Sequence, residues 1–381
     1  MASSSTSSSE HGGFPWAGFA SVLLVLVVDA TFFGSLIDWF RLEEVIESPA
    51  YVEMGVARTH GRLAELRDIE PPESERPRVF LLGSSRAARG IHERSFPAIL
   101  RDNITFVDLS CPGMRPYEMR SLIDDIRPHD PDLVIMLLSE FDTHGRLLNL
   151  AILAPGSAGT VGELIDSAGS DFMLDRREAL LRLGLASQFE AYRFRKVVGA
   201  AGLTKLRVFE TPAKKRSETM RATGALLSGV SAVKYNRQEM LARTKALFPE
   251  VSERTLLTQA VQINTVCRGD HQVAQEHLIR RACEELREMG SDVLILEGPL
   301  HPLAEELCDL RTREDFRDFV GELERDFGAH SMMLEDSAAF TPDQFSDPTH
   351  LGGSGIKPYT ASVAKALSAA LIDRENAKKD P

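Results

Sequence analysis

Short, almost wholly apolar runs alternate along this chain with longer stretches patterned at helical spacing. Residues 79–82, 104–109, 133–138, 293–296 and 332–334 read as buried strands bounded by turn residues. Between or after them, residues 117–126, 273–289, 313–327 and 357–371 read as amphipathic helices. Strands apolar on both faces, alternating with helices, predict a parallel sheet covered on both sides, an α/β fold of three layers. In such sheets ligands bind outside the carboxyl ends of the strands. The polar punctuation falls there. Ser85 follows the first strand, Cys111-Pro112-Gly113 the second, and Ser139-Glu140-Phe141-Asp142 the third. Glu297-Gly298-Pro299-Leu300-His301-Pro302 follows the fourth, and Asp347 with His350 lies past the fifth.

Two regions depart from this alternation. Residues 143–270 are rich in Leu, Ala, Arg and Glu, with a basic patch over 205–216, and read as a helical insertion between the third and fourth strands. Its role is either to bury apolar area as a cap, or to wall a substrate groove or meet a partner. At the other end, residues 1–13 are Ser/Thr-rich and expected to be disordered. Residues 14–37 are then apolar apart from Asp29 and a few small polar residues, long enough for a transmembrane helix. No Lys or Arg precedes the span, and Phe32-Phe33 and Trp39-Phe40 suit a retained anchor rather than a cleaved signal. A carboxylate such as Asp29 costs about 2.5–3.5 kcal/mol at the centre of a span, so it either sits off-centre or protonated, or faces a partner helix. Arg41, Arg58 and Arg62 follow the span, and by charge alone would favour a cytoplasmic C-terminal part. Residues 38–77 read as a juxtamembrane helix and a proline-rich linker, 78–373 as the catalytic domain, and 374–381 as a charged, frayed tail.

Charge narrows the function. The 381-residue chain has a formal net charge of −12 and a pI near 5.4, which argues against nucleic acid as a partner. Cys111, Cys267, Cys283 and Cys308 show no metal-ligand spacing, and the residues call for no cofactor and no metal. They read as buried thiols, or as a disulfide source if the domain lies outside the cytoplasm.

The chemistry gathers on three residues. Gly83-Ser84-Ser85 turns off the first strand, and Asp347-Pro348-Thr349-His350 precedes the last helix. A serine hydroxyl is a weak nucleophile until a base takes its proton, and the imidazole that does so needs a carboxylate to fix its tautomer. Ser85, His350 and Asp347 supply that set. Competing readings exist for each neighbour. Ser85 could simply cap a helix, Asp142-Thr143-His144 is a second acid/base pair, and His301 fits a rigid loop as well as a substrate contact. Arg86 and Arg89 are either anion-binding groups or solvated helix charges.

These residues resemble the SGNH (GDSL-type) hydrolase superfamily. Gly83-Ser84-Ser85 has the form of that family's Gly-Asp-Ser nucleophile turn, with Ser84 in place of Asp, and Asp347-Pro348-Thr349-His350 matches its terminal Asp-x-x-His. The resemblance implies a flavodoxin-like fold with a five-stranded parallel sheet, Ser85 as nucleophile, His350 as general base and Asp347 as its orienting partner. It also implies oxyanion donors at the backbone N–H groups of Ser85 and Gly113. The third block departs from the family: Ser139-Glu140-Phe141-Asp142 offers no asparagine to donate to the oxyanion, so Ser139, Thr143 or Arg146 would have to substitute, or the hole is weak. The anchor, linker and degenerate third block are similar to the membrane-anchored branches, such as the D-alanyl lipoteichoic acid transfer protein and the alginate O-acetyltransferases. That likeness implies a cell-membrane protein with an extracytoplasmic (periplasmic) domain and a carbohydrate or acyl-ester substrate. A multi-span membrane-bound O-acyltransferase is the implied partner. The alternative is a catalytically inactive scaffold of the same fold.

Overall fold

The computed structural model describes residues 76–144, 237–252, 256, 272–307, 310–334 and 340–379. Strands β1 (Arg78–Gly83), β2 (Thr105–Asp108), β3 (Leu133–Leu138), β4 (Asp292–Glu297) and β5 (His330–Met332) form one parallel sheet in the order β2-β1-β3-β4-β5. This is the strand order of the flavodoxin-like doubly wound sheets. Central β3 reads Leu-Val-Ile-Met-Leu-Leu and is buried at every position, because helices cover both of its faces.

The α-helices among the described residues are α1 (Ser85–Gly90), α2 (Ala98–Asn103), α3 (Pro116–Ile126), α4 (Glu140–Thr143), α5 (Arg237–Leu247), α6 (Gln272–Glu288), α7 (Pro302–Leu307), α8 (Leu310–Phe327) and α9 (Gly353–Lys379). Alternate strand residues point to opposite faces and so build two cores. Phe80, Leu82, Val134, Met136 and Ile295 pack against Ile123 of α3, Ile279 and Leu286 of α6 and Phe316 and Leu323 of α8. Val79, Leu81, Ile135, Leu137 and Leu296 face Ala87 of α1, Leu100 of α2 and Val363 and Leu367 of α9.

Two expectations shift. The fifth strand begins at His330 rather than 332, because the edge pairing Leu294↔His330 and Ile295↔Ser331 is made by backbone and tolerates polar, half-buried side chains. The tail expected to fray from Arg374 is instead the end of α9, which runs to Lys379. Arg374 pins it, donating to Asp292 and Asp132 (2.9 Å each) at the amino ends of β4 and β3. The insertion packs into the domain where it is described: Phe248 and Leu256 are buried in the α9-side core, with Val251 against them. The rest of the insertion, the basic patch, the anchor with Asp29, the linker through 75, Cys267 and Cys308 lie outside the described residues. Among the described residues no helix is long and apolar enough to cross a membrane, and Cys111 and Cys283 are buried free thiols.

Candidate active site

Gly83 ends β1 where the chain must turn sharply. A Cβ there would stand 2.6 Å from the Ala87 Cβ, so only glycine lets α1 fold back this tightly. Ser84 occupies the N-cap position in an extended conformation, but its side chain makes no capping bond. Ser85 is the first helical residue, half-buried, and its hydroxyl faces the last hairpin. Capping is therefore the function of neither serine.

That hairpin explains the Asp-x-x-His spacing. Strands β6 (Phe345–Asp347) and β7 (His350–Leu351) are antiparallel, and Asp347 and His350 are cross-strand partners closing a two-residue turn. Residues directly opposite in such a pair bring their side chains together. His350 Nδ1 lies 2.8 and 2.9 Å from the two Asp347 carboxylate oxygens. A carboxylate only accepts, so Nδ1 carries the proton and Nε2 is left with its lone pair. Nε2 meets the Ser85 Oγ at 2.7 Å. The three groups form one line of hydrogen bonds from carboxylate to hydroxyl. Thr349 completes it: its N–H donates to Asp347 Oδ1 at 2.9 Å and its hydroxyl reaches the same oxygen at 3.1 Å. Burial by itself would raise the Asp347 carboxyl, but His350 and the two Thr349 bonds outweigh it and hold the group below its ordinary value.

The remaining predicted residues divide between the site and its foundation. The loop after β2 is tied to the nucleophile turn, because the Cys111 N–H donates to the Gly83 carbonyl at 2.9 Å. Gly113 lies two residues on, at φ 84°, a left-handed conformation suited to glycine. Arg86 is no substrate-facing cation: its guanidinium is buried and bonds Asp142 Oδ2 at 2.8 Å. Arg89 is the exposed one, with Nη1 3.8 Å from Asp347 Oδ2. Asp142 and His144 do not form the second acid/base pair, since Asp142 is bound to Arg86 and Ser139 while His144 Nδ1 meets the Thr143 hydroxyl at 2.8 Å.

The suggested substitutes for the absent asparagine are also engaged. Ser139 caps α4, accepting from the Phe141 N–H at 3.0 Å and donating to Asp142 at 3.2 Å, and Thr143 is held by the Glu140 carbonyl and His144. Arg146 lies outside the described residues. Glu140 is fully buried, and its carboxyl is pushed up to about 7 by burial, against the pull of its own backbone N–H, Arg86 and Arg313. His301 is a loop anchor: its Nδ1 accepts from the Leu303 N–H at 3.0 Å, its backbone N–H donates to the Pro348 carbonyl at 3.3 Å, and its ring stands between Phe248 and Phe345.

Sequence reasoning missed Thr349, although an aspartate followed two residues later by threonine is an Asx-turn signal. It also missed Glu297, which accepts from Arg313, Arg317 and the Leu334 N–H and so ties β4 to α8 and the end of β5. No family model matches the chain, and no curated protein matches it. Among solved structures it is similar to a crystal structure of a GDSL-like lipase from Bacteroides thetaiotaomicron, at 10% identity and a TM-score of 0.36, covering 83% of this chain and 99% of that one. The chemistry of the site is carried by its own geometry.

Proposed function

We propose that this protein is a serine esterase or O-acyltransferase of SGNH type, working through an acyl-Ser85 intermediate. The observation that carries this reading is the 2.7 Å contact between Ser85 Oγ and His350 Nε2, with Asp347 behind the ring. His350 takes the Ser85 proton as Oγ bonds to the acyl carbon, and the Ser85 and Gly113 N–H groups receive the oxyanion. The imidazolium then gives its proton to the leaving alcohol or thiol. In the second half, His350 takes a proton from water or a sugar hydroxyl, whose oxygen bonds to the acyl carbon. The Ser85 oxygen leaves and recovers its proton. The apolar segment 14–37 supports a single-pass anchor, and the periplasmic placement of the domain rests on the resemblance to the membrane-anchored branches alone, against the charge of Arg41, Arg58 and Arg62. An envelope glycan or polymer is then the acceptor, and a multi-span acyltransferase the donor partner.

The test is labelling of the full chain in detergent by a fluorophosphonate, against Ser85→Ala and His350→Ala. Labelling of the wild type that both substitutions abolish is expected. A folded wild type that does not label would refute the enzyme reading and leave a scaffold. A cysteine-accessibility map on either side of residues 14–37 tests the orientation.

A further inference from the structure

The short helix that carries Ser85 is held from outside itself: Ala87 packs in the α9-side core, and the Thr360 hydroxyl donates to the Gly90 carbonyl at 3.0 Å. It is six residues long and lacks a side-chain cap at Ser84, and helices this short do not persist on their own hydrogen bonds. One buried ion pair crosses from it to α4, the short helix that follows the sheet's central strand. Arg86, next to the nucleophile, reaches Asp142 at 2.8 Å, with side-chain exposures of 7% and 0%. Asp142 is itself fixed, since Ser139 Oγ donates to it at 3.2 Å and Arg115 Nη1 stands 3.8 Å away. The Arg86 guanidinium also lies over the Phe141 ring, 5.2 Å from its centre. The loop after β4 is shaped to admit it: a Cβ on Gly298 would come within 2.8 Å of Leu137 Cδ2 and 3.4 Å of Arg86 Nη1. The stretch that lacks an oxyanion asparagine thus makes a different connection.

We propose that the buried Arg86–Asp142 pair is the positioning element for Ser85, fixing the nucleophile's turn to α4, directly after β3. The inference rests on Ser85 being the nucleophile. A buried ion pair is a poor device for stability, because apolar residues of similar volume often serve as well or better. A charged fork with one carboxylate partner has a definite direction, which an apolar contact lacks. Direction is what Ser85 requires, since a misplacement of about 1 Å at a reacting atom lowers rates by about a hundredfold.

The experiment compares the rate and the final extent of fluorophosphonate labelling in the full-length wild type, Asp142→Asn and the double variant Arg86→Met/Asp142→Leu. Final extent reports the folded fraction; rate reports the site. The double variant replaces the pair by apolar side chains and is expected to label to the wild-type extent, but about tenfold to a hundredfold more slowly. Asp142→Asn retains the volume and an acceptor for Arg86, and is expected to show an intermediate rate. If either variant, labelled to full extent, reacts at the wild-type rate, the positioning role is overturned while the enzyme reading stands. A wild type that does not react overturns both. If the double variant does not fold, the rate of Asp142→Asn alone decides between a positioning role and none.

Discussion

Glu140 makes the stability of this domain depend on pH in a direction opposite to that of a paired carboxylate. The native carboxyl holds its proton up to about 7, against an ordinary value of 4.5, because burial disfavours the anion. Below 4.5 both folded and unfolded chains are protonated and nothing depends on pH. Between the two values the unfolded chain has lost the proton and the native chain has not, so native stability falls as pH rises. The interval is about 2.5 pH units at about 1.4 kcal/mol each, or about 3–4 kcal/mol in all, and above about 7 the dependence ends. Glu140→Gln keeps the size and removes the titration. The stability of this variant minus that of the wild type should therefore climb by about 3–4 kcal/mol from pH 4.5 to pH 7 and then level off. Urea unfolding of both proteins followed by far-UV circular dichroism measures this, since the two tryptophans, Trp16 and Trp39, both precede β1. Every other titrating group cancels in the difference, and so does any fixed offset from repacking an amide. A difference that stays flat across this range would refute the reasoning, and with it the burial of the Glu140 carboxyl in α4.

Asp347→Asn leaves the hairpin shape but not the tautomer of His350, and should slow fluorophosphonate labelling by about four orders of magnitude. Because the native Asp347 carboxyl is held below 3.8, its contribution to stability is complete above that value. The stability gap between wild type and Asp347→Asn should accordingly persist through mildly acid pH and close only below 3.8, which acid unfolding titrations will show. Phe248→Ala removes the ring that the insertion places against His301; a loss of about 3 kcal/mol in chemical denaturation is expected, whereas no loss would mean that the insertion does not brace the β6–β7 hairpin through His301.

The sheet was legible because its strands are buried on both faces and so are apolar without interruption, as Leu133 to Leu138 illustrates. β5 was placed late because an edge strand pairs through its backbone and its composition carries little signal. The line from Ser85 to His350 to Asp347 was legible only from residue type and order together, since Ser85 alone suits a helix cap equally well and takes its reading from the Asp347-Pro348-Thr349-His350 motif downstream. Its supports were less so. Arg86 and Asp142 lie 56 positions apart, and nothing in a linear pattern distinguishes a buried guanidinium from a solvated one. Likewise, α9 extends past Arg374 because two aspartates at the starts of β3 and β4 receive it. That attraction belongs to the folded sheet rather than to the charged terminal sequence.

Ser85 and His350 are separated by 265 positions, and the hairpin that carries the histidine leads directly into α9. A ribosome adding about 5–20 residues per second needs tens of seconds to pass from one to the other. Throughout that interval the emerging serine is an ordinary alcohol, with no base to take its proton. On the proposed reading, nascent chains and chains broken before residue 350 are thus chemically silent, and reactivity switches on only once His350 has been made and its hairpin has folded against Ser85.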